Sequence, residues 1–404
     1  METSYNFADT TKVILISIYL HVVDLLVAIL AGVVAYTATV HFIPEARIKL
    51  LQRRICGVDI NKSTAEQRKK ITSTPHELLS DADKRLVVPE SLGILAGAVY
   101  LCVLVPEILL AFGPSKSRQM DGAVTTITVM LLLGFVDDVL DVRWRHKLLL
   151  SAIGSLPLVL TYDGSVSIAV PLPLVPYLGT SLLYLGGLYL LYLSLLCIFC
   201  TNSINILAGV NGVEVGQSII IAVACILHNI LQLRLEHKEG GFNHDCNSTD
   251  NGSMHQLMAI GLLVPFVGVS LALWHYNKYP ASIFVGDSYT YFAGTVLSVA
   301  GITGHYSKTL MLFFAPQIIN FILSLPQLFH IIPCPRHRVP TWDSHRDVLQ
   351  NSKNYTLLNL ILWWYGDMRE EVLTRMVLRI QVGFCVLALL IRYLFASYLY
   401  EQVE

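Results

Sequence analysis

Apolar stretches at about 13–40, 91–113, 121–140, 147–162, 182–204, 214–234, 256–275, 284–303, 309–330 and 377–399 alternate with shorter polar segments. A helix needs about 20 mostly apolar residues to cross the hydrocarbon layer. The pattern therefore predicts an all-α polytopic membrane protein, residues 1–404 forming a single transmembrane domain of about ten helices. The stretches at 121–140, 147–162 and 284–303 are short or interrupted by polar residues. With 54% hydrophobic and 14% charged residues, and a mean hydropathy of +0.58, the composition excludes a soluble globular domain. A formal net charge of −1 lacks the basic face that nucleic acid demands, so membrane lipid is an expected partner and nucleic acid is not.

Charge orients the bundle. The loop at 41–90 holds ten Lys and Arg between Arg47 and Arg85, the 331–376 segment adds Arg336, Arg338, Arg346, Lys353, Arg369 and Arg375, and 163–181 holds none. The positive-inside rule places 41–90, the Asp-rich loop after residue 140 and 331–376 in the cytosol, with both termini facing the opposite compartment. The sequons at Asn247 and Asn251 fall on the non-cytosolic side, whereas those at Asn61 and Asn354 fall on the cytosolic side and should stay unmodified. The insertion at about 63–86 is polar, charged and poor in aromatics, which predicts a flexible surface segment without catalytic work. A short strand pair is expected around 161–181. The N-terminus lacks a basic n-region and a small-residue cleavage site, so its first apolar stretch reads as a retained helix. Cys197 and Cys200 form a C-x-x-C inside an apolar helix with no second Cys or His pair nearby, which argues against zinc or redox chemistry there.

Polar residues inside apolar runs mark candidate chemistry, because a carboxylate at a membrane helix centre costs about 2.5–3.5 kcal/mol on insertion scales. Gly134-Phe135-Val136-Asp137-Asp138-Val139-Leu140 ends such a run with paired carboxylates, followed by Asp141 and Arg143-Trp144-Arg145-His146-Lys147. Carboxylates bind Mg²⁺, and Arg and Lys bind phosphate. Their proximity points to metal-assisted phosphoryl chemistry on a lipid-linked substrate; charges that merely stop a helix are the alternative.

Further clusters fall on the same side. Thr201 to Gly212 carries Asn202, Asn205 and Asn211 with Gly209, a set suited to ligand approach or to bonding between helices. In Phe284-Val285-Gly286-Asp287-Ser288, Asp287 reads as a helix N-cap that is also compatible with metal, and Phe284 as a core aromatic or a base stacker. Prolines 333, 335 and 340 hold Arg336, His337 and Arg338 on a stiff extended loop, fitted to an anionic substrate or to lipid headgroups. Gly57 to Lys62 contains Ile60 and a pair, Asp59 and Lys62, that reads as solvated; Val88 to Gly93 contains Glu90. No Walker A loop or dinucleotide fingerprint is present, so phosphate recognition would rest on side chains and metal.

The stretches GVDINK, VPESLG, LGFVDDVLDVRWRHKLLL, FCTNSINILAGVNGVEVGQS, FVGDSYTYFAG, GHYSKTLMLFF and SLPQLFHIIPCPRHRVP are long and ordered. Through them nearly the whole chain resembles the eukaryotic UDP-GlcNAc–dolichyl-phosphate GlcNAc-1-phosphotransferases, within the wider polyprenyl-phosphate N-acetylhexosamine-1-phosphate transferase superfamily. The resemblance implies a Mg²⁺-dependent transfer of GlcNAc-1-phosphate from UDP-GlcNAc to dolichyl phosphate, with release of UMP. This is the first step of N-glycan precursor assembly, at an active site on the cytosolic face of the endoplasmic reticulum membrane, which makes the side of both termini lumenal. It implies Asn205 and Asp287 as Mg²⁺ ligands and Lys147 and Arg336 as diphosphate contacts. Asn211 and Phe284 resemble the uracil reader and stacker, with Gly209 near the ribose and Ile60 giving backbone contacts. Trp144, His337 and Arg338 resemble the residues that enclose the sugar. Glu90 is grouped with the substrate-binding residues. Asp137 and Asp138 match the family's acidic pair, as base or as electrostatic organiser. The 63–86 insertion and the 341–376 segment depart from the family pattern.

Other readings are the same chemistry with another sugar nucleotide or polyprenol, a secondary transporter, and a membrane scaffold. A transporter would show corresponding interruptions in two halves, which the chain lacks. A scaffold leaves the acidic cluster without a use. The oligomeric state is open, a homodimer being the assembly considered.

Overall fold

The computed structural model describes residues 7–74, 79–111, 117–239, 246–335, 338–395 and 398. Helix α1 (Phe7–Gln52) leads into β1 (Cys56–Val58), α2 (Ala65–Ser73), α3 (Asp81–Lys84) and β2 (Val87–Pro89). Helices α4 (Gly93–Ala111), α5 (Ser117–Leu140) and α6 (Trp144–Leu160) follow, then β3 (Ser167–Ala169), the one-turn α7 (Val175–Leu178) and β4 (Leu182–Tyr184). The bundle continues through α8 (Gly187–Ile206), α9 (Val213–Glu239), α10 (Cys246–Asn277), α11 (Gly286–Thr303), α12 (Ser307–Phe313) and α13 (Ala315–Leu328). It closes with β5 (Thr341–Asp343), β6 (Val348–Gln350), α14 (Leu357–Tyr365) and α15 (Glu370–Leu390). The strands form antiparallel pairs, β1 with β2, β3 with β4 and β5 with β6.

Helix occurs in each of the ten expected stretches. Among the described residues, seven helices are long and apolar enough to cross a membrane, or eight if α12 and α13, bent by 69°, count as one span. Two of the expected stretches fall outside that set. Helix α6 has only 17 residues. Helix α11 has 18 and begins with Gly286-Asp287-Ser288-Tyr289-Thr290. Leu109, Leu110 and Leu160 are 72–78% exposed, as lipid-facing side chains are.

Helix α11 is the axis of the bundle. Every residue from Ser288 to Thr303 is buried, and the helix packs against α4, α5, α8 and α10. Its neighbours approach to backbone contact where glycine removes the side chain. A Cβ on Gly93 of α4 would stand 2.2 Å from Tyr289 N, and one on Gly134 of α5 would stand 2.6 Å from the Asp287 carbonyl. A Cβ on Gly294 of α11 itself would meet the Cys200 carbonyl of α8 at 2.4 Å. Small residues at helix crossings let dispersion and backbone contact replace the hydrophobic effect, which lipid does not supply between helices. Hydrogen bonds add direction: Tyr289 Oη donates to Ser270 Oγ at 3.0 Å and Tyr100 Oη to the Leu262 carbonyl at 3.1 Å. Gln317 Nε2 donates to Gln217 Oε1 and Gln381 Oε1, both at 2.7 Å. Gln217 in turn donates to the Leu207 carbonyl at the end of α8, and Gln381 to the Phe313 carbonyl at the end of α12. Helix-end carbonyls that would lie orphaned in a dry interior are thereby satisfied.

The structure refines several expectations. The 63–86 insertion carries α2 and α3 where described, and Thr64 and Gln67 form a reciprocal capping box at the start of α2. Asp83, buried, accepts from Lys70 Nζ at 2.8 Å and Ser80 Oγ at 2.7 Å. The sequons at Asn247 and Asn251 stand on the helical backbone of α10 and not in a loop. The expected strand pair is β3 with β4, Ser167 facing Tyr184. The 331–376 segment carries the β5–β6 hairpin and α14, whose Leu357, Leu358, Ile361 and Leu362 join Leu207, Val210 and Val213 in a second small core.

A pair of substitutions separates packing from helix propensity. Gly383 of α15 has nothing within 4 Å of a built Cβ, so Gly383→Ala should leave the unfolding temperature unchanged or raise it, by up to about 1 kcal/mol of stability. Gly294→Ala gains the same propensity but meets backbone, and a net loss of about 1–3 kcal/mol is expected. Thermal unfolding in detergent checks both.

Candidate active site

Segments far apart in sequence are laced together by backbone hydrogen bonds at one end of α11. Gly57 pairs with Val88 across β1 and β2. Phe284 N donates to the Pro89 carbonyl at 2.8 Å, Leu92 N to the Phe284 carbonyl at 3.3 Å, and Gly93 N to the Val285 carbonyl at 2.9 Å. The result sets Ile60, Glu90, Phe284 and Asp287 beside Asn205, Gly209 and Asn211 from the end of α8, around a cavity of about 710 Å³. Asp59, Asn61, Arg68, Glu214, Asn277, Thr290 and Val339 also line it.

The N-terminus of α11 is capped from another helix. Asp138 of α5 accepts from Asp287 N at 2.6 Å, Ser288 N at 3.1 Å and Ser288 Oγ at 2.7 Å. Gly286, at φ +71°, makes this possible, since a Cβ there would lie 2.4 Å from Asp138 Oδ2. Asp287 is therefore not the N-cap that its position suggests; Val285 holds that place without a side-chain bond. Freed from capping, the Asp287 carboxylate accepts from Asn205 Nδ2 at 2.9 Å through Oδ1 and lies 3.4 Å from Lys147 Nζ through Oδ2. Lys147 also pairs with Asp137 at 2.5 Å, while Asp137 Oδ1 accepts from Val142 N at 3.0 Å and closes the turn after α5.

The donor set at this corner fits a hard divalent cation. Asp287 supplies a carboxylate oxygen at the cavity wall and Asn205 an amide, whose oxygen faces the same space once the amide is turned over; the two ends of an amide are assigned from hydrogen bonding. Mg²⁺ characteristically takes one or two protein oxygens and fills its shell with waters and substrate phosphates.

The cavity floor holds a polar network that sequence reading missed. Glu370, at the start of α15, accepts from Asn211 N at 2.8 Å and Asn61 Nδ2 at 3.0 Å through Oε1. Asn61 Nδ2 also donates to the Gly209 carbonyl at 3.0 Å, and Asn211 Nδ2 to Asp59 Oδ2 at 3.4 Å. Asp59 is 3% exposed and pairs with Lys62 at 2.9 Å, so the pair is buried on its acidic side and not solvated. Gly209, at φ +106°, donates its N–H to Glu214 Oε1 at 3.0 Å. The signal for Glu370 and Glu214 was slight, an acidic residue in the first turn of an apolar helix.

Other expected residues stand elsewhere. Trp144 is 57% exposed at the start of α6 with Arg145 over its ring, and it does not line the cavity. Asn202 donates to the Ile198 carbonyl of its own helix. Arg338 is half-buried with its Nη1 unpartnered among the described residues, and burial lowers its pKa. Arg336 and His337 lie outside the described residues.

Residues 121–305 match the model of glycosyl transferase family 4. A UDP-N-acetylglucosamine–dolichyl-phosphate N-acetylglucosaminephosphotransferase of Leishmania amazonensis is 49% identical, over 93% of this chain and 94% of its own. The proteins of that name from Dictyostelium discoideum and Saccharomyces cerevisiae are 44% and 33% identical, over 74% and 91% of this chain. The chain belongs to this phosphotransferase family. The acidic pair, the α8 asparagines and Asp287 all fall inside the 121–305 match, whereas the Asn61 and Glu370 floor lies outside it.

Two measurements test the site's electrostatics. Burial, together with the charges of Asp138 and Asp287, pushes the Glu90 carboxyl from its ordinary 4.5 up to about 7. Between those values the folded protein keeps a proton that the unfolded chain has released, so this group makes stability fall as pH rises from 4.5 to 7. Glu90→Gln should flatten that slope in chelator-treated protein, by on the order of 3 kcal/mol at pH 7. Asp138→Ala removes the cap on α11 and should cost about 2 kcal/mol or more, read as a lower denaturation midpoint.

Proposed function

We propose that this chain transfers GlcNAc-1-phosphate from UDP-GlcNAc to dolichyl phosphate, releasing UMP. The carrying observation is that Asp287 and Asn205, in the wall of a cavity large enough for a nucleotide sugar, meet Lys147 and through it Asp137. Membership of the family supplies the substrates. An oxygen of the acceptor phosphate attacks the sugar-bearing phosphorus of the diphosphate, and the bond to UMP breaks. That phosphate is largely ionised near pH 7, so no strong base is required. The contacts of Asp138 agree, since its oxygens already accept from α11. In this reading the acidic pair organises the site: Asp138 fixes α11, and Asp137 holds Lys147 toward Asp287 and the diphosphate. Asn205 and Asp287 would hold Mg²⁺, which when bound neutralises the diphosphate and the charge developing on UMP. Asn211 and Phe284 take the uracil, with Gly209 at the ribose and the Ile60 backbone beside it. The family resemblance assigns Arg336 to the diphosphate and His337 and Arg338 to the sugar. The proposed setting is the endoplasmic reticulum membrane, with ten spans, lumenal termini and a cytosolic cavity.

Purified protein given radiolabelled UDP-GlcNAc and dolichyl phosphate should form a labelled lipid and UMP, and UDP-GalNAc or UDP-MurNAc-pentapeptide should not replace the donor. Asp287→Asn should lower activity by about 10²-fold or more with stability held within about 1 kcal/mol, because Asp138 caps the helix. An unchanged Mg²⁺ midpoint in that variant would remove Asp287 from the metal site.

A further inference from the structure

A second group of ligating side chains lies at the other end of α11, about 27 Å from Asp287 at 1.5 Å per residue, and phosphotransfer makes no use of it. His305 follows α11, His255 belongs to the first turns of α10, and Asp163 sits in the turn after α6. One ligand atom from each lies within 4.8 Å of the other two. The imidazole centroids are 4.2 Å apart and nearly perpendicular.

Both rings are oriented through Nδ1. His255 Nδ1 is 3.1 Å from the Thr303 carbonyl, and His305 Nδ1 is 3.2 Å from Tyr162 Oη. With its Nδ1 engaged by Tyr162, His305 turns Nε2 toward Asp163, 4.0 Å from Oδ1. Carbonyl and hydroxyl partners of this kind fix the tautomer and ring angle of metal-bound histidines. The backbone is shaped to the same end. His305 adopts φ +57°, which residues with a side chain seldom do. A Cβ on Gly164 would lie 2.2 Å from His305 Cε1 and 2.3 Å from Tyr162 Oη, so only glycine admits the ring there.

We propose that Asp163, His255 and His305 form a Zn²⁺ site on the face of the bundle opposite the cavity, tying the turn after α6 to the ends of α10 and α11. Two imidazoles and one carboxylate suit Zn²⁺, with water in the fourth place, whereas Mg²⁺ and Ca²⁺ prefer all-oxygen shells. Tetrahedral bonds of about 2.0–2.1 Å set ligand atoms roughly 3.3 Å apart, so the site contracts on binding. Asp163, with its side chain 56% exposed, has room to swing in. The ion acts as a clamp on this end of α11 and takes no part in sugar transfer.

The test uses the full chain in detergent, stripped with chelator and titrated with Zn²⁺ by calorimetry and with Co²⁺ by visible absorption. One equivalent should bind, Co²⁺ should show the intense d–d bands of a tetrahedral site, and Zn²⁺ should raise the unfolding temperature by several degrees. His255→Gln and Asp163→Asn should each weaken binding by about tenfold or more, while the unfolding temperature of metal-free protein stays at the wild-type value. Wild-type protein that binds no Zn²⁺, or wild-type affinity in both variants, overturns the site. A metal-free unfolding temperature that falls in His255→Gln while Zn²⁺ affinity holds makes the imidazole a packing residue and overturns it equally.

Discussion

The grip of Asp138 on the first N–H groups of α11 is the interaction on which the rest of the structure turns. A half-buried carboxylate is costly unless its lone pairs are filled. Here two backbone N–H groups and a hydroxyl fill them, at a helix N-terminus whose dipole favours negative charge. The bond joins α5 to the most buried helix of the bundle and fixes its rotation. Rotation decides where Asp287, one residue into the helix, points. Because the cap comes from α5, the Asp287 side chain is not folded back on its own backbone and faces Asn205 and Lys147 instead. Gly134 and Gly286 are conditions of the same arrangement, since a Cβ on either would enter the space where α5 and α11 touch.

The cavity beside this joint has an excess of negative charge. Asp59, Glu90, Glu214 and Asp287 line it, Glu370 lies under its floor, and among the described residues the cations in contact with this set include Lys62, Arg68 and Lys147. Lys62 is taken by Asp59, and Arg68 donates to the Ile60 and Ser63 carbonyls. A nucleoside diphosphate entering such a site adds charge of the same sign to a poorly screened space. A donor of that class is therefore consistent with this cavity only when positive charge accompanies it. The proposed Mg²⁺ and the proposed contacts of Arg336 and Arg338 are the sources at hand; the raised pKa of Glu90, due first to burial and then to the charges of Asp138 and Asp287, points the same way.

Much of this was legible in the sequence, and the misses follow one rule. Apolar periodicity located the helices, and the polar interruptions located Asn205, Asn211 and Asp287, because a polar residue in lipid has to answer for its cost. Long-range contacts are where local reading failed. Asp287 looked like an N-cap because a sequence window cannot see that α5 brings Asp138 to the same N–H groups. Asp59 and Lys62 looked solvated because nothing near them reveals that Asn211, 152 positions away, would cover the acid. The capping box of Thr64 and Gln67 was readable but hidden by the surrounding charge. Glu370 gave almost no signal, being one of two adjacent glutamates at a helix start.

Hydropathy alone would also misplace the site. Neither α6 nor α11 has the length and apolarity of a membrane span, the first for being short and the second for the polar residues along it. Leaving both out keeps the termini on one side but inverts everything between them, which would put Asn205 and Asp137 on opposite membrane faces. Yet Asn205 bonds to Asp287, and Lys147 joins Asp287 to Asp137. In the proposed ten-span arrangement the touching ends of α5, α8 and α11 share a face, because α6 carries the chain across before α8 returns it. The same arrangement takes α11 across, so that α12 and α13 lead back from its far end to Val339 at the cavity. Side-chain contact agrees with that proposal, whereas hydropathy alone gives seven single helices among the described residues, or eight with the bent pair of α12 and α13 counted as one span.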